Sequence, residues 1–260
     1  DHIAFVELGQ RKVDHNEFDN FKQFYTQDWQ KFIDYNIVDV ELVSRLEEKM
    51  KLIELAVALA YDAKVNMQDV YYQVRMWDTL IYNFLKKKGI VVPPGKRSDK
   101  DEKYAGAYVK EPIAGRYNWV VSFDLNSLYP HLIMQYNISP ETLVEKRHPS
   151  ATVNGLLSQK VEVPEEFALC ANGAMYRKDI HGFLPEMMKK IYDERVQSKK
   201  LMILAKKEYE KTPTKELEKS ISKYNNIQMA RKIQLNSAYG AIGNQYFRYY
   251  NIINAEAITL

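Results

Sequence analysis

The chain has 260 residues, of which 46% are hydrophobic and 27% charged, and its formal net charge is +3. This composition is enough for a buried core and excludes a wholly disordered chain. The sequence has neither a run of about eighteen apolar residues nor a positively charged leader, so no membrane span or signal peptide is predicted. A single cysteine, Cys170, excludes an internal disulfide and a cysteine-based zinc site, which favours a reducing compartment such as the cytoplasm.

Residues 16 to 94 have the spacing of helices. Aromatic side chains recur three and four residues apart, at Phe18, Phe21, Phe24 and Tyr25. Further apolar helices are predicted between residues 51 and 94, and Pro93-Pro94-Gly95 ends them. The polar and charged residues that follow, as far as Lys103, predict a linker or a surface loop.

Residues 104 to 181 predict strands joined by turns. The apolar run from Tyr117 to Phe123 is typical of a strand. Its last part, Trp119 to Phe123, is typical of a buried strand. Asn172-Gly173 predicts the turn of a β-hairpin. At the end of the chain, residues 254–260 have the pattern of a helix or a strand.

Between these segments the sequence predicts an antiparallel helical hairpin. One long helix begins near Pro185 and ends at about Lys211, Thr212-Pro213-Thr214 interrupts the pattern, and a return helix runs from Lys215 to about Tyr239. Residues 186–232 contain 13 Lys or Arg against 7 Asp or Glu, a local net charge of +6. A segment with this excess of positive charge can bind a polyanion, although a solvated helical hairpin that binds nothing can have the same charge pattern.

Asp124 is a single carboxylate at the exit of the predicted strand. A carboxylate in this position, followed by backbone N–H groups at the start of a helix, suits a divalent cation and the phosphate oxygens that it bridges. The alternative is that Asp124 or Ser127 only caps the following helix.

A second group of residues lies on the return helix. Lys232, Asn236, Tyr239 and Gly243 share one helical face, which offers a cation, an amide, an aromatic ring and bare backbone. That face suits a nucleotide, and Arg195 and Lys199, one turn apart on the preceding helix, offer two more charges to the same anion. The alternative is an amphipathic helix with extended surface cations and a glycine end cap.

A third and weaker pattern is Tyr35-Asn36-Ile37-Val38-Asp39. A tyrosine and an aspartate four residues apart share a helical face and can act on one metal-bound water. Pairs with this spacing are common, so the pattern alone also fits an ordinary helix surface.

Together the three patterns resemble the motifs of family B DNA polymerases. Residues 124–130 match the palm motif D-x-x-S-L-Y-P, and residues 232–240 match the fingers motif K-x-x-x-N-S-x-Y-G. Residues 104–107, with Tyr104 and Gly106, resemble the short Y-x-G-G/A element, and residues 35–39 the third proofreading motif, Y-x-x-x-D. The chain is most similar in its motifs and flanking residues to the replicative polymerases of T-even-type bacteriophages.

The resemblance implies a role for each matching residue. Asp124 and the Leu125 carbonyl would bind the catalytic Mg²⁺ ions, two per site, with Mn²⁺ as a substitute. The incoming nucleotide would contact Ser127, Leu128, Tyr129, Arg195, Lys199, Lys232, Asn236, Tyr239 and Gly240. Tyr129 would also exclude a ribose 2′-hydroxyl, and Lys232 would act in catalysis. Tyr104 and Gly106 would contact DNA, and Tyr35 and Asp39, with Asp39 as a metal ligand, would belong to a 3′→5′ exonuclease.

The resemblance also implies an α+β architecture. Its parts would be an exonuclease-domain tail (1–50), a helical bridge and linker (51–103), a palm sheet (104–181 and 245–260) and inserted helical fingers (182–244). The family's second metal motif, D-T-D, does not occur in these residues, so we expect the isolated chain to lack polymerase activity. The alternative is a non-catalytic nucleotide- and DNA-binding half of a split polymerase. Expected partners are primer-template DNA and deoxynucleotides, with a sliding clamp and replisome proteins as further candidates, in the host cytoplasm if a phage encodes the chain.

Overall fold

In the computed structural model, residues 1–95 and 106–260 are described, and they form two compact units, Asp1–Val57 and Ala58–Leu260. The described residues are mostly helical, with one small antiparallel sheet. Among them, no helix combines the length and the apolar character that a bilayer crossing requires.

The first unit is organised by aromatic packing. Its helices are α1 (His2–Leu8), α2 (Phe21–Gln27) and α3 (Trp29–Met50). Asn20 and Asp28 cap α2 and α3, because each side chain accepts a hydrogen bond from a backbone N–H of the first turn. Phe24 is fully buried. The rings in contact with it are those of His15, Phe18, Phe21, Phe32 and Tyr35.

The second unit is built on two long helices. The boundary between the units falls within α4 (Leu52–Ala63). The elements that follow are a 3₁₀ turn (Met67–Tyr71), α5 (Gln73–Lys87), α6 (Leu128–Gln135), α7 (Val153–Leu157), β1 (Phe167–Leu169), β2 (Met175–Arg177), α8 (Phe183–Lys211), α9 (Lys215–Ile242) and α10 (Ile252–Thr259).

The predicted helical hairpin is confirmed in α8 and α9. The connection is short, and the Thr214 hydroxyl begins α9 by accepting a hydrogen bond from the backbone N–H of Leu217. Helices α5 and α6 pack against this pair. Trp77 of α5 is buried, and its indole N–H donates to Ser237 Oγ of α9 at 3.0 Å. The core of the unit therefore lies along the hairpin.

The predicted β-hairpin at Asn172-Gly173 is also confirmed. Strands β1 and β2 pair antiparallel, with Ala168 opposite Tyr176 at the centre of the register. Gly173 has φ of +82°, a left-handed backbone that glycine adopts without strain. The Tyr176 ring is fully buried, and its hydroxyl donates to Asn254 Oδ1 of α10 at 2.8 Å. The hairpin is thereby joined to the end of the chain.

The predicted buried strand at residues 117–123 is wrong in this structure. These residues form no strand, and Trp119 and Phe123 are 97% and 93% exposed. A strand is stabilised by hydrogen bonds to a neighbouring strand, and within the described residues the only sheet is the β1–β2 pair. The apolar pattern is present, but no pairing partner for it lies in this part of the chain.

The α+β prediction holds only in a coarser form. The region predicted as strands, 104–181, contains α6 and α7 as well as the single hairpin, as far as it is described. The residues at the end of the chain, for which a helix or a strand was expected, form α10. Helix α6 begins where a helix start was expected after Asp124, whereas α7 was not predicted.

Candidate functional site

The start of α6 is tied to α8 by Ser127. Ser127 lies just before the helix with φ of +53°, and its side chain makes no capping hydrogen bond. Its hydroxyl instead accepts a hydrogen bond from Arg195 Nη1 of α8 at 3.1 Å. A second contact joins the same two helices. The His131 ring of α6 packs edge-on against the Tyr192 ring of α8, with their centroids 4.8 Å apart. The alternative that Ser127 serves as a side-chain cap is therefore not realised.

A ring contact joins α6 to α9. The Tyr129 and Tyr239 rings are tilted against each other with centroids 4.7 Å apart. This separation is typical of a favourable aromatic pair. Two tyrosines that the sequence places in different motifs, 110 positions apart in its numbering, are thus in direct contact.

The three cations predicted to bind phosphate lie on the hairpin, Arg195 and Lys199 on α8 and Lys232 on α9. Arg195 is half-buried, whereas Lys199 and Lys232 are exposed. Neither lysine has a carboxylate partner within the described residues. The Arg195 Nε atom is buried, and no hydrogen-bond acceptor for it lies in residues 1–95 or 106–260. None of these three cations is therefore paired with a carboxylate within the described residues.

The exposed face of α9 is partly glycine-lined. Asn236 and Gly240 are exposed, and Gly240 borders an open cavity of about 720 Å³. A Cβ atom on Gly240 would meet only the end of the Gln73 side chain, at 2.9 Å. Gly243, which the helical spacing also placed on this face, ends α9. The face can thus accept a planar group close to the backbone.

Asp124 and Leu125 precede α6 in an exposed segment without regular secondary structure. Leu125 is 71% exposed, and within the described residues Asp124 has no hydrogen-bond or ion-pair partner. The described residues contain no cluster of three or more Asp, Glu, His or Cys side chains that could hold a metal ion. Leu128 is exposed on the first turn of α6. The structure therefore joins Arg195 to Ser127 and Tyr129 to Tyr239, whereas Asp124 has no hydrogen bond or ion pair with any of these residues among those described.

The first unit contains the two residues that were predicted to belong to an exonuclease site, Tyr35 and Asp39. Tyr35 and Asp39 lie one turn apart on α3, and Tyr35 packs in the aromatic cluster. Asp39 forms an ion pair with Lys12 at 2.6 Å. The hydrogen bond to Asp39 raises the pKa of the Lys12 ammonium, so this amine stays charged. A cation of the protein itself therefore stands beside the carboxylate.

The two residues predicted to contact DNA give little structural information. Tyr104 lies outside the described residues. Gly106 is exposed, and a Cβ atom there would meet nothing within 4 Å, so the local packing does not require glycine at this position.

The comparison with known families decides the relationship. The model of DNA polymerase family B matches residues 66–260. The chain belongs to DNA polymerase family B. The resemblance read from the motifs is thus confirmed at the level of the family.

Relatives of this family B chain cover most of it. It is 35% identical over 272 residues to the DNA-directed DNA polymerase of Escherichia phage RB69, which covers 88% of this chain and 30% of the relative. It is 34% identical over 277 residues to the DNA-directed DNA polymerase of Enterobacteria phage T4, which covers 89% of this chain and 30% of the relative. The chain therefore spans about 30% of the length of these curated relatives.

A solved structure has the same fold. The family B DNA polymerase from the hyperthermophilic archaeon Pyrobaculum calidifontis matches with a TM-score of 0.70 and 24% identity. The match covers all of this chain and 32% of that one. At this identity, the likeness concerns the fold alone.

Sequence reasoning missed the cavity beside Gly240 in this family B chain. Its lining includes Gln73, Arg75, Tyr246 and Arg248, and Asp78 holds the Arg248 guanidinium through Nε at 2.7 Å. The sequence carried no local signal for this cavity, because its two walls are about 170 positions apart in the chain. Only the packing of α5 against α9 brings them together.

Two glycine substitutions separate packing from ligand access. Gly240→Ala should leave the free energy of unfolding unchanged or slightly higher, because alanine favours a helix by about 1 kcal/mol and the Gln73 side chain can move. Gly182→Ala should lower it by about 1–3 kcal/mol, because its Cβ would lie 2.5 Å from the Cβ of the buried Ser139. Denaturant unfolding monitored by circular dichroism measures both. Equal destabilisation would show that packing, rather than an approaching ligand, explains Gly240.

Proposed function

We propose that this family B chain forms part of a DNA-directed DNA polymerase that adds deoxynucleotides to a primer 3′ end. The observation that carries the proposal is the meeting of α6 with both helices of the hairpin, through Arg195–Ser127 and Tyr129–Tyr239. These contacts join the two sequence motifs into one surface. The family membership supports the same reaction class.

The triphosphate of the incoming nucleotide would lie against the basic surface. Arg195, Lys199 and Lys232 are the cations on that surface, and charge-assisted hydrogen bonds to phosphate oxygens are among the strongest that proteins form. The backbone N–H groups of Ser127, Leu128 and Tyr129 lie at the N-terminus of α6, and the N-terminus of a helix favours an anion. The hairpin would thus bind phosphate from one side and α6 from the other. Lys232 would also act in catalysis, by stabilising the negative charge that develops on the phosphoryl group.

The sugar and the base would contact the remaining residues. Tyr129, held by the Tyr239 ring, would lie against the deoxyribose and exclude a 2′-hydroxyl. Asn236, Tyr239 and Gly240 would contact the nascent base pair, which the exposed and partly glycine-lined face of α9 can accept. Tyr104 and Gly106 would contact the DNA.

Asp124 and the Leu125 carbonyl offer hard oxygen ligands of the kind that Mg²⁺ and Mn²⁺ bind. They are only part of a metal site, because no group of three ligands exists within the described residues. A second carboxylate from beyond these residues would be needed for two ions. When bound, such ions stabilise charge on the attacking and leaving oxygens. The exposure of Asp124 is compatible with this role, since its carboxylate has no hydrogen-bond or ion-pair partner within the described residues.

The unit that contains residues 1–50 would be the end of a 3′→5′ proofreading exonuclease domain. Tyr35 and Asp39 share a helical face, and a metal ion at Asp39 would compete with the Lys12 ammonium. Residues 51–103 would bridge to the palm, 104–181 and 245–260 would belong to the palm, and 182–244 would be the fingers. Primer-template DNA and deoxynucleotides are the proposed partners, with a sliding clamp and replisome proteins as further ones in viral DNA replication.

Nucleotide binding by the 260-residue chain tests this assignment. Lys232→Ala should weaken binding of a deoxynucleoside triphosphate by about tenfold, because a charge-assisted hydrogen bond to phosphate contributes on the order of 1.5 kcal/mol or more. Isothermal titration calorimetry in the presence of Mg²⁺ measures the affinity. Lys200→Ala, which removes the same charge from an exposed position on the other helix of the hairpin, α8, is the matched control and should change the affinity little. Equal effects of the two variants would contradict the assignment.

Sugar selection tests the role of Tyr129. In a polymerase of the relatives' full length that contains this sequence, Tyr129→Ala should raise the ratio of kcat/KM for ribonucleotides to that for deoxynucleotides by at least about tenfold, because the ring that excludes the 2′-hydroxyl is removed. Single-nucleotide primer extension measures the ratio. Tyr136→Ala, at the other end of α6, is the control. An unchanged ratio in Tyr129→Ala would refute the sugar contact.

A further inference from the structure

A largely buried guanidinium connects the three helices α4, α8 and α9. Arg231 of α9 forms an ion pair through Nη2 with Glu194 Oε2 of α8 at 2.6 Å, and its Nη1 donates a hydrogen bond to Asp62 of α4. The Arg231 side chain is only 16% exposed. Gln234, which is fully buried, completes the group by donating to Asp62 Oδ2 at 2.7 Å.

The members of this group are chain neighbours of the proposed phosphate cations. Glu194 directly precedes Arg195, and Arg231 directly precedes Lys232. Consecutive residues of a helix point about 100° apart, so the ion pair can face the neighbouring helix while Lys232 faces solvent. The relative position of two cations on different helices thus depends on an ion pair one residue away from each.

The connection between the helices cannot set that position alone. Glu194 is 17 residues from the end of α8 at Lys211, which corresponds to about 25 Å of helix. Over that length a small change in crossing angle would move the two cations apart. A planar guanidinium with two carboxylates is a geometrically specific link, because its donors form a rigid fork.

We propose that Arg231 is a positioning residue, held by Asp62 and Glu194, that sets the spacing of Arg195 and Lys232 for a nucleotide triphosphate. The inference rests on the proposed function of those two cations. Arg231 itself would not touch the nucleotide. Its contribution is to hold α8 and α9 in the one register in which both cations reach the same phosphate chain.

The charge of Glu194 makes the proposal separable from simple electrostatics. Glu194→Gln removes a negative charge close to an anion site, so electrostatics alone predicts tighter binding of a triphosphate. Positioning predicts weaker binding, because a neutral amide holds the guanidinium less firmly. The two explanations therefore differ in sign.

The experiment titrates the 260-residue chain and its variants with deoxyadenosine triphosphate and Mg²⁺ by calorimetry. Glu194→Gln and Asp62→Asn should each weaken binding by about fivefold. The matched control is Asp193→Asn, which removes the same charge from the adjacent residue, whose partner is Lys189 rather than Arg231. It should leave the affinity unchanged or slightly tighter.

The result that overturns the proposal is unchanged or tighter binding in both Glu194→Gln and Asp62→Asn. Loss of helicity together with loss of binding in both variants would also overturn it, since the group would then be purely structural. Lys232→Ala, measured in the same series, keeps the two claims apart. If Lys232→Ala weakens binding and the carboxylate variants do not, only the positioning role fails. If Lys232→Ala has no effect, the proposed function itself fails.

Discussion

The hydrogen bond from Arg195 to Ser127 is the contact on which the proposed site depends. It joins a long helix of the hairpin to the start of α6, where Ser127 adopts a left-handed backbone and does not cap the helix with its own side chain. A guanidinium has five donors, and this is the one bond recorded for Arg195 within the described residues. The side chain can therefore hold α6 and still donate to an anion. Together with the ring contacts Tyr129–Tyr239 and His131–Tyr192, it connects the motif that begins at Asp124 to the basic face of the hairpin.

The two long helices divide packing and chemistry between their faces. On α9, Gln234, Leu235 and Ala238 are buried, whereas Lys232 and Asn236 are exposed. Burial of the first face stabilises the hairpin, and the second face stays free for a ligand because its side chains contribute little to the core. Lys232 and its control Lys200, two of the cations chosen for substitution, lie on exposed faces. Their removal should change folding little, since surface substitutions usually alter stability by less than about 0.5 kcal/mol.

Local signals in the sequence predicted those parts of the fold that are stabilised locally. The break at Thr212 to Thr214 and the turn at Asn172-Gly173 each depend on residues adjacent in the sequence. The helical hairpin and the β-hairpin that they predict are both present. The absence of a strand at 117–123 could not be predicted in this way, because a strand depends on a partner that the described residues do not provide. The site was reached through motifs, which identified Arg195 and Tyr239 but could not show their contacts with α6. No local pattern in the sequence indicated the contact between Asp62 and Arg231, since the two residues are 169 positions apart.

The most direct test of the account is hydrogen exchange of the 260-residue chain with and without a deoxynucleoside triphosphate and Mg²⁺, measured by mass spectrometry. Binding slows exchange of backbone N–H groups that contact the ligand or are held more firmly in its presence. The account predicts slower exchange in three separate segments, residues 127–131, 192–199 and 232–240, and unchanged exchange in residues 1–50. Protection confined to one of the three segments, or protection in the first unit alone, would contradict the claim that α6 and the hairpin bind the nucleotide together.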